Sequence, residues 1–203
     1  AMIALNNHTF QYKTQQAQAS WRIHPWSPLV GKTIVIGGLG LGYTAEAVLR
    51  DNDVASLIVV DALQPIIDWH EQSMLPLGAA LVKDPRCQFV CADFFTAAAG
   101  DTGFDPAIVG RCFDAILVDI DHTPDFHLAP GNEGFYTAAG LTKLQQHLTP
   151  KGVFGLWSNN PPDDHFTTQL QSVFANARAE AVSFSKALQD GDVTQTIYLA
   201  RRI

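Results

Sequence analysis

Four short apolar runs, each closing on a glycine or an aspartate, constrain this chain more than any other feature of its 203 residues. Thr33-Ile34-Val35-Ile36 runs into Gly37, and Leu57-Ile58-Val59-Val60 closes on Asp61. Gln88-Phe89-Val90-Cys91 leads through Ala92 to Asp93, and Ala115-Ile116-Leu117-Val118 closes on Asp119. Continuous rather than alternating runs, rich in β-branched residues, fit strands buried on both faces of a parallel sheet. The stretches between them supply helices. One is expected from about Thr44 to Arg50, and a second opens at Pro65, where the missing N–H costs nothing. A third carries Thr137, Leu141, Leu144 and Leu148 at i, i+4, i+7 and i+11, and Pro150-Lys151-Gly152 ends it. Val153–Trp157 reads as a fifth strand, and Phe166, Leu170, Val173, Phe174 and Ala177 mark one face of a further helix.

The alternation then breaks. Val182–Ser185 and Thr196–Ala200 are strand-like runs joined through Asp190-Gly191-Asp192 with no helix between them, so they must pair antiparallel. The expected architecture is α/β: a doubly wound, mostly parallel, seven-stranded sheet with a terminal antiparallel hairpin. Residues 1–30 differ in composition, being rich in Gln, Asn and His around Trp21 and Trp26. They read as an N-terminal arm with a short helix near Thr14–Trp21, and residues 31–203 as the single domain.

Charge narrows the partners. A formal net charge of −7, with only 16% charged residues and no basic cluster, argues against nucleic acid, which needs a basic face. No apolar run approaches the roughly 20 residues that span a bilayer. Cys87, Cys91 and Cys112 lack metal-ligand spacing and lie in apolar stretches, so they read as buried free thiols of a cytoplasmic protein, with no metal site. His127, His147 and His165 read as surface histidines.

The turn Gly37-Gly38-Leu39-Gly40-Leu41-Gly42 lies at the C-terminal end of the first strand, the edge where open parallel sheets bind ligands. Glycines there let a backbone approach a ligand and supply positive φ. Asp61, with Ala62 after it, sits near the ~20-residue offset at which an acid accepts ribose hydroxyl protons. Asp93 is placed to accept from an adenine amino group, with Phe94 over the ring face, and Asp119 lies where a reactive centre would be. Each carboxylate has a second reading, as the cap of the helix that follows. A dinucleotide fingerprint starting at Gly38 would need a small residue at 43, where Tyr43 stands. That leaves a nicotinamide oxidoreductase as the weaker alternative.

The run Ile36–Thr44 resembles the nucleoside-binding turn of spermidine synthase-like proteins, a branch of the class I S-adenosylmethionine-dependent methyltransferase fold. So do Val60-Asp61, Asp84-Pro85-Arg86, Ala92-Asp93-Phe94, Val118-Asp119-Ile120-Asp121 and Phe154-Gly155-Leu156-Trp157-Ser158. The resemblance implies a Rossmann-like sheet that binds S-adenosylmethionine or its decarboxylated form as co-substrate. It implies that the glycines, Tyr43 and Asp61 hold ribose and tail, that Asp93 holds adenine, and that Asp119 faces an incoming amine. In the family's aminopropyltransferases the glycine turn carries an aspartate where Gly40 stands here. Their Asp-Ser-Ser-Asp-Pro stretch has become Asp119-Ile120-Asp121-His122-Thr123-Pro124-Asp125, and their N-terminal β-domain is missing or reduced to the arm.

Displacement at a sulfonium by an amine asks the enzyme to position both partners and to take a proton. Asp119, with Asp121 or His122, is the expected catalytic group. If the fourth strand continues to Asp121, Asp119 and Asp121 share one face and attract a cationic amine. Trp157–Asn160 is a candidate wall for the acceptor, and Pro161-Pro162-Asp163-Asp164 reads as a turn and helix cap. The expected function is transfer of an aminopropyl or methyl group to a small amine, with room for a homodimer. The alternative is a non-catalytic nucleoside-binding scaffold that kept the fold.

Overall fold

The computed structural model describes residues 31–185 and 192–203. The N-terminal arm, its tryptophans and the link between the last two strands lie outside the described residues.

Among the described residues seven strands form one sheet. In chain order they are β1 (Lys32–Gly37), β2 (Val54–Asp61), β3 (Cys87–Cys91), β4 (Phe113–Val118), β5 (Leu148–Ser158), β6 (Ala175–Ser185) and β7 (Asp192–Arg201). Across the sheet the order is β3-β2-β1-β4-β5-β7-β6. The first five strands pair in parallel, while β7 runs antiparallel to both β5 and β6. The helices are α1 (Tyr43–Leu49), α2 (Gln64–Glu71), α3 (Gly78–Lys83), α4 (Phe94–Ala99), α5 (Ala138–Gln146) and α6 (Asp164–Val173), with a 3-10 helix at Pro130–Tyr136.

The continuous apolar runs are explained by two cores. Val35, Ile58, Val60, Ile116 and Phe154 point to one face, against Phe94 and Phe95 of α4, Leu141 and Leu144 of α5, and Phe166 and Leu170 of α6. Ile34, Ile36, Leu57 and Val59 point to the other, against Val48 and Leu49 of α1, Ile67 of α2 and Leu81 of α3. Successive strand residues face opposite ways, so each run must be apolar throughout to fill both cores. Ile34, Val35 and Ile36 are fully buried, and each such side chain contributes roughly 1.5–3 kcal/mol by leaving water.

β1 lies between β2 and β4, so the crossovers leave it in opposite directions. That reversal point, beyond the C-terminal ends of β1 and β4, is where doubly wound sheets open a crevice.

Several expectations shift. α5 ends at Gln146, and Leu148 belongs to β5, where it pairs with Phe113. Ala177 lies in β6, not α6. Phe174 already has extended backbone, Asn176 has φ 53°, and the register slips between Ala175 and Arg178. A bulge at the strand start thus mimics helical spacing. Cys91 and Cys112 are exposed and Cys87 is half-buried, all three free. Cys91 and Cys87 sit on edge strand β3, which has a neighbour on one side only. Burial pushes the Cys87 thiol up to about 12. His147 is buried, with Nε2 3.2 Å from the Ala98 carbonyl, because Phe113 N–H takes the His147 carbonyl and draws this residue under β4.

Candidate functional site: the glycine turn and the acidic strand ends

The turn after β1 is left-handed at alternate residues: φ is 94° at Gly38, 47° at Gly40 and 88° at Gly42. Only glycine enters that region without strain. At Gly38 a Cβ would also stand 2.4 Å from the Asp119 carbonyl oxygen. The close approach of the β1 and β4 ends therefore depends on that glycine. Val60 and Gly37 carbonyls accept from Gly38 N–H and Asp119 N–H, both at 2.9 Å, which stitches the three strand ends together.

Asp61 closes the turn from the β2 side. Its Oδ2 accepts from Leu39 N–H and its Oδ1 from Leu63 N–H, each at 2.9 Å. A carboxylate has about four acceptor sites, so these two bonds fix its plane and leave each oxygen able to accept once more. Ala62, beside it, is exposed.

Asp119 is half-buried, and Thr44 Oγ1 in the first turn of α1 donates to its Oδ2 at 3.3 Å. β4 stops at Val118, so the shared strand face expected for Asp119 and Asp121 does not arise. Asp121 is instead 6% exposed and saturated. It accepts from Leu128 N–H at 2.6 Å, from Asn132 Nδ2 at 3.0 Å on both oxygens, and from Tyr136 Oη at 2.9 Å. All its donors come from residues 128–136, which makes Asp121 the anchor of that segment. Burial raises the Tyr136 hydroxyl's pKa, and the neighbouring Asp121 charge adds to it.

His122 is exposed and stacks on Phe126 with centroids 5.1 Å apart. Its Nδ1 faces Asn159 Nδ2 at 3.2 Å, and Asn159 Oδ1 accepts from Gln195 Nε2 at 3.0 Å. The amide of Asn159 must donate here, so Nδ1 is the accepting nitrogen. This chain ties the loop after β4 to the ends of β5 and β7. Asp163 caps α6 through His165 N–H and Phe166 N–H, as its turn sequence suggested.

At the end of β3 the two expected roles separate. Asp93 is exposed and caps α4, accepting from Thr96 N–H at 2.6 Å, with its second oxygen open. Phe94 does not offer a ring face to a ligand. It is 2% exposed, stacks on Phe104 with centroids 4.9 Å apart, and lies where a Cβ on Gly37 would stand 2.6 Å away. The physical reason is the short α4: its first residue points down into the core beneath the turn. Gly37 is thus a packing glycine. Tyr43, first residue of α1, is likewise buried. A groove of about 600 Å³ opens beside Asp93 between α4 and α5, bordered by Phe95, Thr96, Gly131, Thr137 and Lys143.

The sequence reading passed over His70. It is fully buried in α2, and its Nε2 lies 3.0 Å from the Gly40 carbonyl oxygen. The signal was present: Ile67 and His70 are three apart on the buried face of α2.

Among the described residues no Lys or Arg pairs with Asp61, Asp93, Asp119 or Asp121. This edge of the sheet is therefore, among the described residues, a set of carboxylates without counter-cations. No grouping of three His, Cys, Asp or Glu residues fit for a metal ion occurs among the described residues, and no described helix is long and apolar enough to cross a membrane.

Strand order, the antiparallel β7 and the glycine turn after β1 define a class I methyltransferase fold. Within that class the fold is spermidine synthase-like. A spermidine synthase solved with the transition-state analogue AdoDATO superposes with a TM-score of 0.65 at 17% identity, over 94% of this chain and 59% of that one. Human methyltransferase-like protein 13, solved with SAH, gives 0.64 at 20% identity, over 95% of this chain and 82% of that one. In sequence, the polyamine aminopropyltransferase of Prochlorococcus marinus (strain MIT 9313) is 28% identical over 130 residues, 64% of this chain and 41% of that protein. The chain thus spans less than two thirds of the length of the aminopropyltransferase and of the spermidine synthase it resembles. No protein-family model matches it.

Proposed function

We propose that the chain is a transferase that binds S-adenosylmethionine or its decarboxylated form at the glycine turn and passes a methyl or aminopropyl group to a small amine. The observation that carries this reading is Asp61. Its carboxylate is held rigid by Leu39 N–H and Leu63 N–H while keeping one acceptor site per oxygen, which suits a ribose diol. The AdoDATO and SAH bound by the two structural neighbours are nucleosides of this kind. Gly37, Gly38, Leu39, Gly40, Gly42, Tyr43, Ala62 and Phe94 then form or support the pocket, and the open oxygen of Asp93 faces the adenine.

Asp119 is the catalytic group of the proposal. An amine attacks only when neutral, and a carboxylate held by Thr44 beside the switch point can take its proton. The carboxylates at this edge draw in a cationic sulfonium and a cationic amine. His122 remains a candidate for orienting the amine, and Asp121 contributes by fixing the wall at 128–136. A cytoplasmic setting, consistent with the three free thiols, belongs to the same proposal.

The test is thermal stabilisation of the chain by S-adenosylmethionine, decarboxylated S-adenosylmethionine, methylthioadenosine and NADH, since a ligand that binds only the folded state raises its melting temperature. A shift with the sulfur nucleosides and none with NADH is expected. Silence from every sulfur nucleoside sinks the reading.

A further inference from the structure

The imidazole of His70 sits directly behind the glycine turn. A carbonyl oxygen can only accept, so the 3.0 Å contact with Gly40 requires that Nε2 carry the proton. The other nitrogen, Nδ1, is buried with no partner among the described residues. Burial lowers the pKa of this histidine, outweighing the Gly40 bond and the charge of Asp61. The ring is wedged in place: it tilts against Phe89 with centroids 5.7 Å apart, and a Cβ on Gly42 would stand 2.9 Å from its Cε1. On its backbone side, a Cβ on Gly78 would stand 2.5 Å from the His70 carbonyl oxygen, so α3 packs flush on α2.

A bond made this firmly to one carbonyl has a consequence for the next amide. In a trans peptide C=O and N–H point in opposite directions, and no cis peptide occurs among the described residues. With the Gly40 carbonyl turned inward to His70, the Leu41 N–H points away from it. That amide has no acceptor among the described residues, while Gly40 itself is exposed with open space around it. An oriented donor with no acceptor among the described residues suits an anionic acceptor such as a carboxylate.

We infer that His70 is a positioning residue that fixes the Gly40–Leu41 peptide so that the turn selects a nucleoside whose tail carries a carboxylate. The role rests on the nucleoside reading above and narrows it, favouring the co-substrate with an intact amino-acid tail over the decarboxylated one. His70 itself does not touch the ligand. It acts through the backbone, and its effect is confined to the tail.

Calorimetric titration of the full chain with S-adenosylhomocysteine, which keeps the amino-acid tail, and methylthioadenosine, which lacks it, tests the inference. His70→Phe keeps a ring against Phe89 but removes the donor, and His70→Gln restores a donor. The Phe variant is expected to weaken S-adenosylhomocysteine roughly fivefold or more, the value of one lost hydrogen bond, and to leave methylthioadenosine unchanged. The Gln variant is expected to recover most of that loss. Equal loss for both ligands, or loss for neither, overturns the inference while leaving the nucleoside site standing. Failure of the unaltered chain to bind either ligand removes both. Should His70→Phe not fold, ¹⁵N NMR of the unaltered chain decides: the Leu41 amide is expected to shift with S-adenosylhomocysteine and not with methylthioadenosine, and the same response to both overturns the inference.

Discussion

The two ends of the sheet carry acids of opposite fate. Near the N-terminal ends of the strands Asp114, Asp84 and Asp105 each hold a cation. Asp114 accepts from Thr33 N–H and holds Lys32 at 3.2 Å, Asp84 holds Arg86 at 2.8 Å, and Asp105 holds Arg111 at 2.7 Å. At the C-terminal ends Asp61, Asp93 and Asp119 are held only by backbone amides and a threonine. One end commits its charges to structure, and the other leaves its carboxylates without a cation among the described residues. Composition cannot distinguish the two sets, because the residue types are the same; only the ends of the strands they occupy differ.

The largest effect is expected from Asp119→Asn. If Asp119 is the general base proposed above, its removal costs on the order of 10²–10⁴ in turnover, while nucleoside affinity should hold because the proposed ribose contact is Asp61. Steady-state rates beside calorimetric affinities check this; undiminished turnover would remove Asp119 from the chemistry. Gly38→Ala comes next. It places a Cβ 2.4 Å from the Asp119 carbonyl at φ 94°, and strain plus displacement should destabilise by about 3 kcal/mol. Chemical denaturation measures the loss, and ligand binding should fall with it.

At the opposite end, Arg86→Leu breaks the comparison cleanly if the two ends are independent. The guanidinium donates to the Leu49 and Asp51 carbonyls at 2.8 Å as well as to Asp84. Its loss strands those acceptors and should cost about 2 kcal/mol, with no change in nucleoside affinity. A parallel loss of affinity would show that the ends communicate.

The smallest effect is a pH dependence. The Arg86 hydrogen bond holds Asp84 below the usual carboxylate range against the cost of burial. Burial pushes Asp105 and Asp114 upward, but Arg111 for the one, and Thr33 N–H with Lys32 for the other, outweigh it and leave both lowered. A depressed folded pKa means that the unfolded chain binds protons first. The contribution to stability is therefore complete above the unfolded value near ~3.9 and is lost as pH falls through the folded values. Denaturant midpoints measured from neutral pH downward should drop in that acid window, and less so in Arg86→Leu.

Much of this was legible in the sequence because parallel strands buried on both faces leave long apolar runs. β1, β2 and β4 announced themselves, and the strand-end acids could be placed on one edge. Short elements were not legible. α3 and α4 have six residues each, too few for periodicity to emerge, so Phe94 read as a ligand platform when it is a core residue. Asp121 could not be told from Asp119, because the point at which β4 stops depends on what residues 128–136 offer in return. His70 was hidden by its chemistry: a histidine on an apolar helix face reads as polar decoration until the carbonyl it faces is known.

The position of β7 has a consequence for how the molecule is made. It lies between β5 and β6, yet it is the last of the described strands to be synthesised. Until residues 192–201 have left the ribosome, β5 presents an open edge with Val153, Phe154 and Leu156 along it, and β6 has no strand to join. The nascent chain therefore carries a sticky border until β7 has emerged. A truncation within β7 should turn that passing hazard into insoluble product, even though the glycine turn, Asp61 and Asp119 would all be present.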